Sequence, residues 1–321
     1  MKTALRFAAA ALLVCAGAGL AQSFPTRPIK FIVPYPPGGA SDVTARVLGQ
    51  KLAEAYGQPV VVENRPGANG NIALAEVAKA APDGYTIVMG NVGPNAINAG
   101  LYKTLPFDPI KSFVPVTLTS TVPIVLLVNP ALQAKDAKDL IAYVKANPGK
   151  TNFASGGNGS ATHLTAELFK NMAGLDIQHV PYKGDAAAMT ALMAGEVTMT
   201  FATIVAAMPQ IRSGRVKVIG IAAKSRAATL PDVPTISESG VPGFESTSWG
   251  GVLAPAGTPP AVIASLQAEI VKILRMPEVR EKIGGLGADV IGSGSAEFAD
   301  YLKAEIAKWS GVIKASGATI D

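Results

Sequence analysis

The sequence predicts an α/β fold of two doubly wound lobes joined by two extended crossing strands, on three observations. Short β-branched runs alternate with segments of helical period, the pattern of parallel strands with helical crossovers. That plan occurs twice, once in each half of the chain. Two longer extended stretches, residues 114–128 and 246–254, lie between the halves as hinge strands would. The expected boundaries are 22–120 with 250–321 for the first lobe and 121–249 for the second.

Residues 29–33 read as the first strand. Residues 42–56 follow as a helix, with Val43, Val47, Leu48 and Leu52 on one face and Gly57 as its stop. A strand at 60–63, a helix at 72–80 and a strand at 86–89 complete the first unit. The second unit repeats it: helix 138–146, strand 152–154, helix 161–173, strand 177–180 and helix 186–194. Strands at 197–201 and 216–221 follow, separated by a helix ending near Gly214. Terminal helices at 260–274, 277–284 and 297–315 are expected to pack back on the first lobe, the last through Phe298, Leu302, Ile306, Trp309 and Ile313.

Residues 1–21 read as an export signal. Lys2 and Arg6 precede an apolar run over 7–16, and Gly19, Leu20 and Ala21 supply small residues near a cleavage point, so the mature chain starts near Gln22 in the periplasm. Cys15 follows Val14 where a lipoprotein signal would place a small residue, and cleavage removes this single cysteine. Without it there is no disulfide or thiol chemistry, and with two histidines in the chain no metal site or cofactor is expected. Of the net charge of +5, Lys2 and Arg6 account for two, and the remainder is spread without a basic run, so nucleic acid is not an expected partner. No later apolar run approaches membrane-spanning length, and a monomer is expected.

Two glycine loops lead from strand to helix. One is Pro36-Pro37-Gly38-Gly39-Ala40-Ser41-Asp42 and the other is Ser155-Gly156-Gly157-Asn158-Gly159-Ser160. A helix start leaves backbone N–H groups unpaired at the positive end of the helix dipole, so such loops suit an anion without a side-chain cation. In doubly wound sheets ligands sit at this carboxyl edge, and one loop in each lobe places the ligand in the cleft between them. The plain alternatives are a tight turn for Gly38 and Gly39 and helix capping for Ser41, Ser160 and Thr162.

Several segments carry a family resemblance. Arg27 to Val33 running into Pro37-Gly38-Gly39, Gly57 to Ala68 with its Asn64-Arg65-Pro66-Gly67 turn, Ala81-Pro82-Asp83-Gly84-Tyr85-Thr86, Leu105-Pro106-Phe107-Asp108, Val180-Pro181-Tyr182-Lys183-Gly184 and Asp232-Val233-Pro234-Thr235 stand in order along the mature chain. Together they resemble the periplasmic solute receptors of tripartite tricarboxylate transporters, often called Bug receptors. The resemblance implies a type II periplasmic binding protein fold that closes on a small organic carboxylate and presents it to membrane permease subunits. It maps the ligand site onto Gly38, Gly39, Ala40, Ser41 and Asp42 and onto Ser155, Gly157, Gly159, Ser160, Ala161, Thr162 and His163.

The chain also departs from that pattern. Asn95 stands where many relatives have histidine, and is expected to reach the cleft; Ala202 stands where relatives commonly have aspartate. If Ala202 faces the cleft, its lack of charge disfavours a ligand ammonium group and points to di- or tricarboxylates or an aromatic acid. Tyr182 is a further cleft candidate, Asp42 is expected to orient its loop, and Arg65 is expected in a structural ion pair. His163, in the first turn of a helix, and His179 read as neutral structural residues. Ser41, Asp42 and His163 lack the spacing of a catalytic triad, and no Walker, dinucleotide or nucleophile-elbow motif is present, so no enzyme is expected. A receptor that reports to a sensor protein would use the same cleft and remains the alternative.

Overall fold

The computed structural model describes residues 24–285 and 287–320, so the expected signal over 1–21 lies outside the described residues. In the first lobe β1 (Ile29–Val33) lies in parallel between β2 (Val60–Asn64) and β3 (Thr86–Asn91). Next come β4 (Phe113–Val128), β5 (Asn152–Ser155), β6 (Gln178–Pro181), β7 (Met199–Thr203) and β8 (Lys217–Ile221). β9 (Thr247–Pro255) and the short β10 (Asp289–Val290) close the series.

β5 lies in parallel between β6 and β7, repeating the arrangement around β1. Each parallel trio then meets an antiparallel strand that arrives from the other half of the chain. In the first lobe this is β9, inserted between β3 and β4. In the second it is the end of β4, inserted between β7 and β8. β4 is therefore shared: residues 113–123 pair with β9 and residues 124–128 pair with β7. Both expected crossing segments are strands of one antiparallel pair, and this is the joint between the lobes.

Helices cover both faces. Leu48 and Leu52 of the helix Ala40–Tyr56 pack with Leu266, Ile270 and Ile273 of Pro260–Leu274 on one side of β1. Leu74 and Val77 of Asn71–Ala78 pack with Phe298, Leu302 and Trp309 of Ser295–Ser316 on the other. The terminal helices thus sit on the first lobe, where their apolar faces are buried. In the second lobe Phe153, Phe169, Phe201 and Phe244 form a separate aromatic core. Among the described residues no helix is long and apolar enough to cross a membrane.

Two local expectations needed revision, and residues 93–101 add structure to which the sequence reading gave no element. The first helix starts at Ala40 rather than 42, because Gly39 is the extended cap residue (φ −78°, ψ 168°). Residues 93–101, whose Gly-Pro-Asn composition reads as a turn, form a wide π-helical turn, Gly93–Ile97, and a short helix, Asn98–Leu101; buried Ile97 and Leu101 hold them against the first-lobe core. On the last helix Glu305 is as buried as its apolar neighbours, whereas Ile306 is only partly covered.

Candidate functional site

The first glycine loop ends β1 and opens the helix Ala40–Tyr56. Gly39 has no side chain to cap the helix, so the N–H groups of its first turn stay without the usual side-chain acceptor. Asp42 turns away from them. Its carboxylate accepts hydrogen bonds from Gly38 N–H (2.9 Å), Asn64 Nδ2 (2.9 Å) and Arg46 Nε (3.1 Å). Burial raises the Asp42 pKa, but the hydrogen bonds from Arg46, Gly38 and Asn64 and the Arg46 charge more than offset this and hold it below the ordinary value. Gly38 is held at φ +90°, a conformation that glycine adopts without strain.

Ala40, Ser41 and Thr44 of this helix form one wall of a pocket that lies over the joint between the lobes. Met89 and Asn91 at the end of β3 form the next wall, Thr119, Ser120 and Val122 come from β4, and Ser248 and Gly250 from β9. The register of β4 against β9 shifts between Leu118 and Ser120, so the strand is bulged at the pocket floor. Thr119 Oγ1 donates to Gly250 O (2.9 Å), and Asn91 Nδ2 donates to Trp249 O (2.9 Å). Among the described residues no charged side chain lines this pocket.

Asn95 was expected to reach the cleft and does not. It is fully buried, and its Oδ1 accepts from Asn91 N–H (3.0 Å), so it braces the residue that does line the pocket. Asn91, Thr119, Ser120 and Ser248 were not anticipated from sequence. Their one signal is a set of small polar residues inside otherwise apolar strands.

The second glycine loop is bound mostly to itself. Ser155 is fully buried; its Oγ lies 2.6 Å from His179 Nε2 and accepts from Gly157 N–H (3.1 Å). Thr162 Oγ1 accepts from Gly156 N–H (3.1 Å) and donates to Asp185 Oδ1 (2.9 Å). Ser160 caps the helix Ala161–Ala173 by accepting from His163 N–H (3.1 Å). His163 Nδ1 accepts from Gly159 N–H (3.1 Å), which places any ring proton of the neutral imidazole on Nε2. Ala161 and Thr162 begin the helix, where N–H groups have no intrahelical acceptor. A side-chain carbon at Gly159 would come within 2.4 Å of Leu101 Cδ2, so the loop already touches the first lobe there.

His163 and His179 stack at 4.0 Å, and Phe153 continues the stack 4.8 Å from His179. Burial, with the neighbouring histidine and Lys170, lowers the His163 pKa to about 4, and burial with Lys170 lowers that of His179 to about 4. Both are neutral near pH 7, as the sequence suggested. Burial raises the pKa of nearby Glu167, whose Oε1 is 3.9 Å from His163 Nε2.

Tyr182 points its hydroxyl at Glu196 Oε2 (3.4 Å), past the end of the helix Asp185–Ala194, rather than toward the first loop. Arg65 pairs with Glu63 and with Glu76 (3.2 Å), the structural ion pair expected of it. Ala202 is buried in the apolar core beside β4 and does not line the pocket, so the argument drawn from its lack of charge loses its premise.

Two α/β lobes on a shared antiparallel pair, with an uncharged pocket above the joint, are the architecture of a hinged solute-binding protein. Comparison with known proteins gives the family. Residues 44–318 match the tripartite tricarboxylate transporter family receptor. BugT of Bordetella pertussis is 38% identical over 301 residues, covering 94% of this chain and 92% of that protein. A Rhodopseudomonas palustris protein solved with adipate is 36% identical with a TM-score of 0.78, covering 92% of this chain and 100% of that one. MatC of the same organism, solved with bound malate, is 35% identical with a TM-score of 0.74, covering 90% and 100%. The chain belongs to the tripartite tricarboxylate transporter receptor family and is of the Bug type, with the periplasmic binding protein fold.

Proposed function

We propose that this chain is an exported receptor that captures a small organic carboxylate between its lobes and delivers it to the membrane permease subunits of a tripartite tricarboxylate transporter. The observation that carries the reading is the uncapped start of the helix Ala40–Tyr56, with Ala40 and Ser41 on the pocket wall and the Asp42 carboxylate turned back into its own loop. Backbone N–H groups at a helix start bind a carboxylate through charge-assisted hydrogen bonds that need no cation. Adipate and malate in the structures of two relatives support a carboxylate as the ligand class.

In this reading the carboxylate first meets Gly38, Gly39, Ala40 and Ser41, and closure brings Gly157, Gly159, Ala161 and Thr162 onto the ligand from the other lobe. Ligand contact with the second lobe is what favours the closed state, because only a difference in affinity between open and closed forms shifts that equilibrium. Ser155 and His163 serve by shaping the second loop. The ligand is a di- or tricarboxylate or an aromatic acid rather than an acidic amino acid. Support for this comes from the pocket wall, which has no acidic side chain to meet an ammonium group.

Gly39→Val tests the reading. The position has ordinary extended backbone and open space around it, so the fold tolerates the side chain, while the first-turn N–H groups become shielded. Calorimetry should show carboxylate binding lost with an unchanged circular dichroism spectrum. Retained affinity removes the first loop from the site, and a thermal-shift screen that prefers glutamate or aspartate overturns the ligand class.

A further inference from the structure

We propose that Leu101 is a positioning residue for ligand capture: its side chain is the first-lobe seat on which the second glycine loop lands as the lobes close, so it sets affinity for the carboxylate without touching it. This role rests on the carboxylate reading above and adds to it a contact that holds the closed state.

Leu101 ends the short helix Asn98–Leu101, is 3% exposed and does not line the pocket. A side-chain carbon built on Gly159 would overlap Leu101 Cδ2 and stand 3.1 Å from Cδ1 and 3.3 Å from Cγ, so the leucine lies against the bare backbone of the second loop. Gly159 is held at φ +72° and donates its N–H to His163 Nδ1 at 3.1 Å, which fixes this point of the loop from within the second lobe. Behind it Ala161, Leu164 and Leu168 of the helix Ala161–Ala173 pack in the same apolar core as Leu101 and Trp249. The loop thus meets the first lobe at Leu101, beside the seam where its own helix already rests on that lobe.

Leu101 is firmly placed from the first-lobe side. Asn98, fully buried and one turn earlier, donates from Nδ2 to Asn71 Oδ1 (2.7 Å) and accepts at Oδ1 from Asn69 Nδ2 (2.7 Å). Asn69 takes φ +51°, a left-handed conformation that asparagine adopts more readily than most residues. The last helix presses on the same turn, where a side-chain carbon on Gly100 would come within 3.0 Å of Ile313 Cδ1. At the other end of the segment Asn95 accepts from the N–H of Asn91, which lines the pocket. One braced segment, residues 91–101, therefore runs from the pocket wall to the contact with the second lobe. A contact made in the closed form and absent from the open one shifts the balance toward closure, and apolar surface buried in it adds to that shift.

The experiment is a double-mutant cycle on the mature chain: wild type, Leu101→Ala, Gly159→Ala and the two combined, each first checked by thermal melting. Calorimetry and stopped-flow tryptophan fluorescence with malate, adipate, citrate and benzoate give affinity and rates. Leu101→Ala should bind the acids that the wild type binds about tenfold more weakly, with the loss in the dissociation rate and the association rate within about twofold of wild type. Gly159→Ala should weaken binding by about tenfold or more, since its methyl meets the leucine. The double variant, with room for that methyl, should bind about fivefold or more tightly than Gly159→Ala alone. Should Leu101→Ala fail to melt cooperatively, Leu101→Val takes its place in the same cycle.

A Leu101→Ala variant with a lower melting temperature but wild-type affinity and dissociation rate makes the leucine a plain core residue and overturns the proposal. Additive losses in the double variant overturn it as well, because the two positions then act independently. Both outcomes leave the carboxylate reading standing. Failure of the wild type to bind any of the four acids overturns that reading, and the role of Leu101 with it.

Discussion

The backbone N–H of Gly38 donates to the carboxylate of Asp42 at 2.9 Å, closing the first glycine loop on itself. The bond occupies the one anion of the loop with an internal donor. An acidic residue beside an anion-binding helix start is thereby reconciled with its position: it shapes the loop and is itself neutralised by Arg46 at 3.0 Å.

Asp42→Ala should destabilise the protein by about 1–3 kcal/mol at neutral pH, since Gly38 N–H and the Asn64 amide lose a buried charged acceptor. The folded-state pKa of Asp42 is lowered, so its contribution is complete above the ordinary aspartate range, near pH 4, and is lost as pH falls through the lower folded value. Urea unfolding of wild type and variant at pH 7 and at pH 3 checks both: the gap between them should narrow in acid.

The two glycines of the first loop should respond differently to substitution. Gly38→Val places a β-branched residue at φ +90° and should cost about 1–3 kcal/mol in stability. Gly39→Val, at φ −78°, should melt close to the wild-type temperature and lose binding only. Thermal melts of the two variants side by side, followed by calorimetry on Gly39→Val, separate the backbone role from the ligand role.

Stability should decline as pH is lowered from about 7 toward 4. Unfolded histidine takes up a proton near pH 6.5, whereas His163 and His179 in the fold do so only at about 4, so acid favours the unfolded chain over that interval. The groups that face them are Glu167 and Lys170 on the same helix, together with each other's ring. Melting temperature measured between pH 7 and pH 5 should fall in the wild type. It should change less in a His163→Gln, His179→Gln double variant, although that variant starts lower.

Glu305 Oε2 accepts from the indole N–H groups of both Trp249 and Trp309, each at 3.0 Å, and Lys308 pairs with its other oxygen. Glu305→Ala leaves two buried donors unpaired and should cost roughly 3–5 kcal/mol, whereas Glu305→Gln keeps an acceptor and should cost less. Denaturant midpoints give the cost. Because the chain's two tryptophans share this one carboxylate, their fluorescence emission should shift in Glu305→Ala as well.

The fold was readable because its parallel strands are short β-branched runs separated by amphipathic helices, as in Ile29–Val33 and Ala40–Tyr56. The segment 93–101 was not, since Gly93, Pro94, Asn95 and Asn98 signal a turn and only tertiary burial makes them helical. In the candidate site the glycine loops were visible as local strand-to-helix punctuation. Ser120 and Ser248 were invisible for a different reason. Alternation along a strand says that two faces differ, but which face meets the pocket depends on β4 pairing with β9, about 130 residues away, and on a bulge that shifts the register between Leu118 and Ser120. Asn95 misled because residue type suggested ligand contact where packing made it a brace for Asn91.

The sharing of β4 bears on how the molecule comes apart. Its first residues complete the sheet of one lobe and its last residues complete the sheet of the other, while β9 returns to the first lobe only after the second has been traversed. The first lobe cannot be excised as a continuous piece of chain with its sheet intact, and excising the second, whose strands all lie within 124–221, cuts β4 in two. Heat or denaturant should therefore dissolve both lobes in a single cooperative transition, and the strand pair on which the receptor would swing is also the seam that keeps its two halves from melting separately.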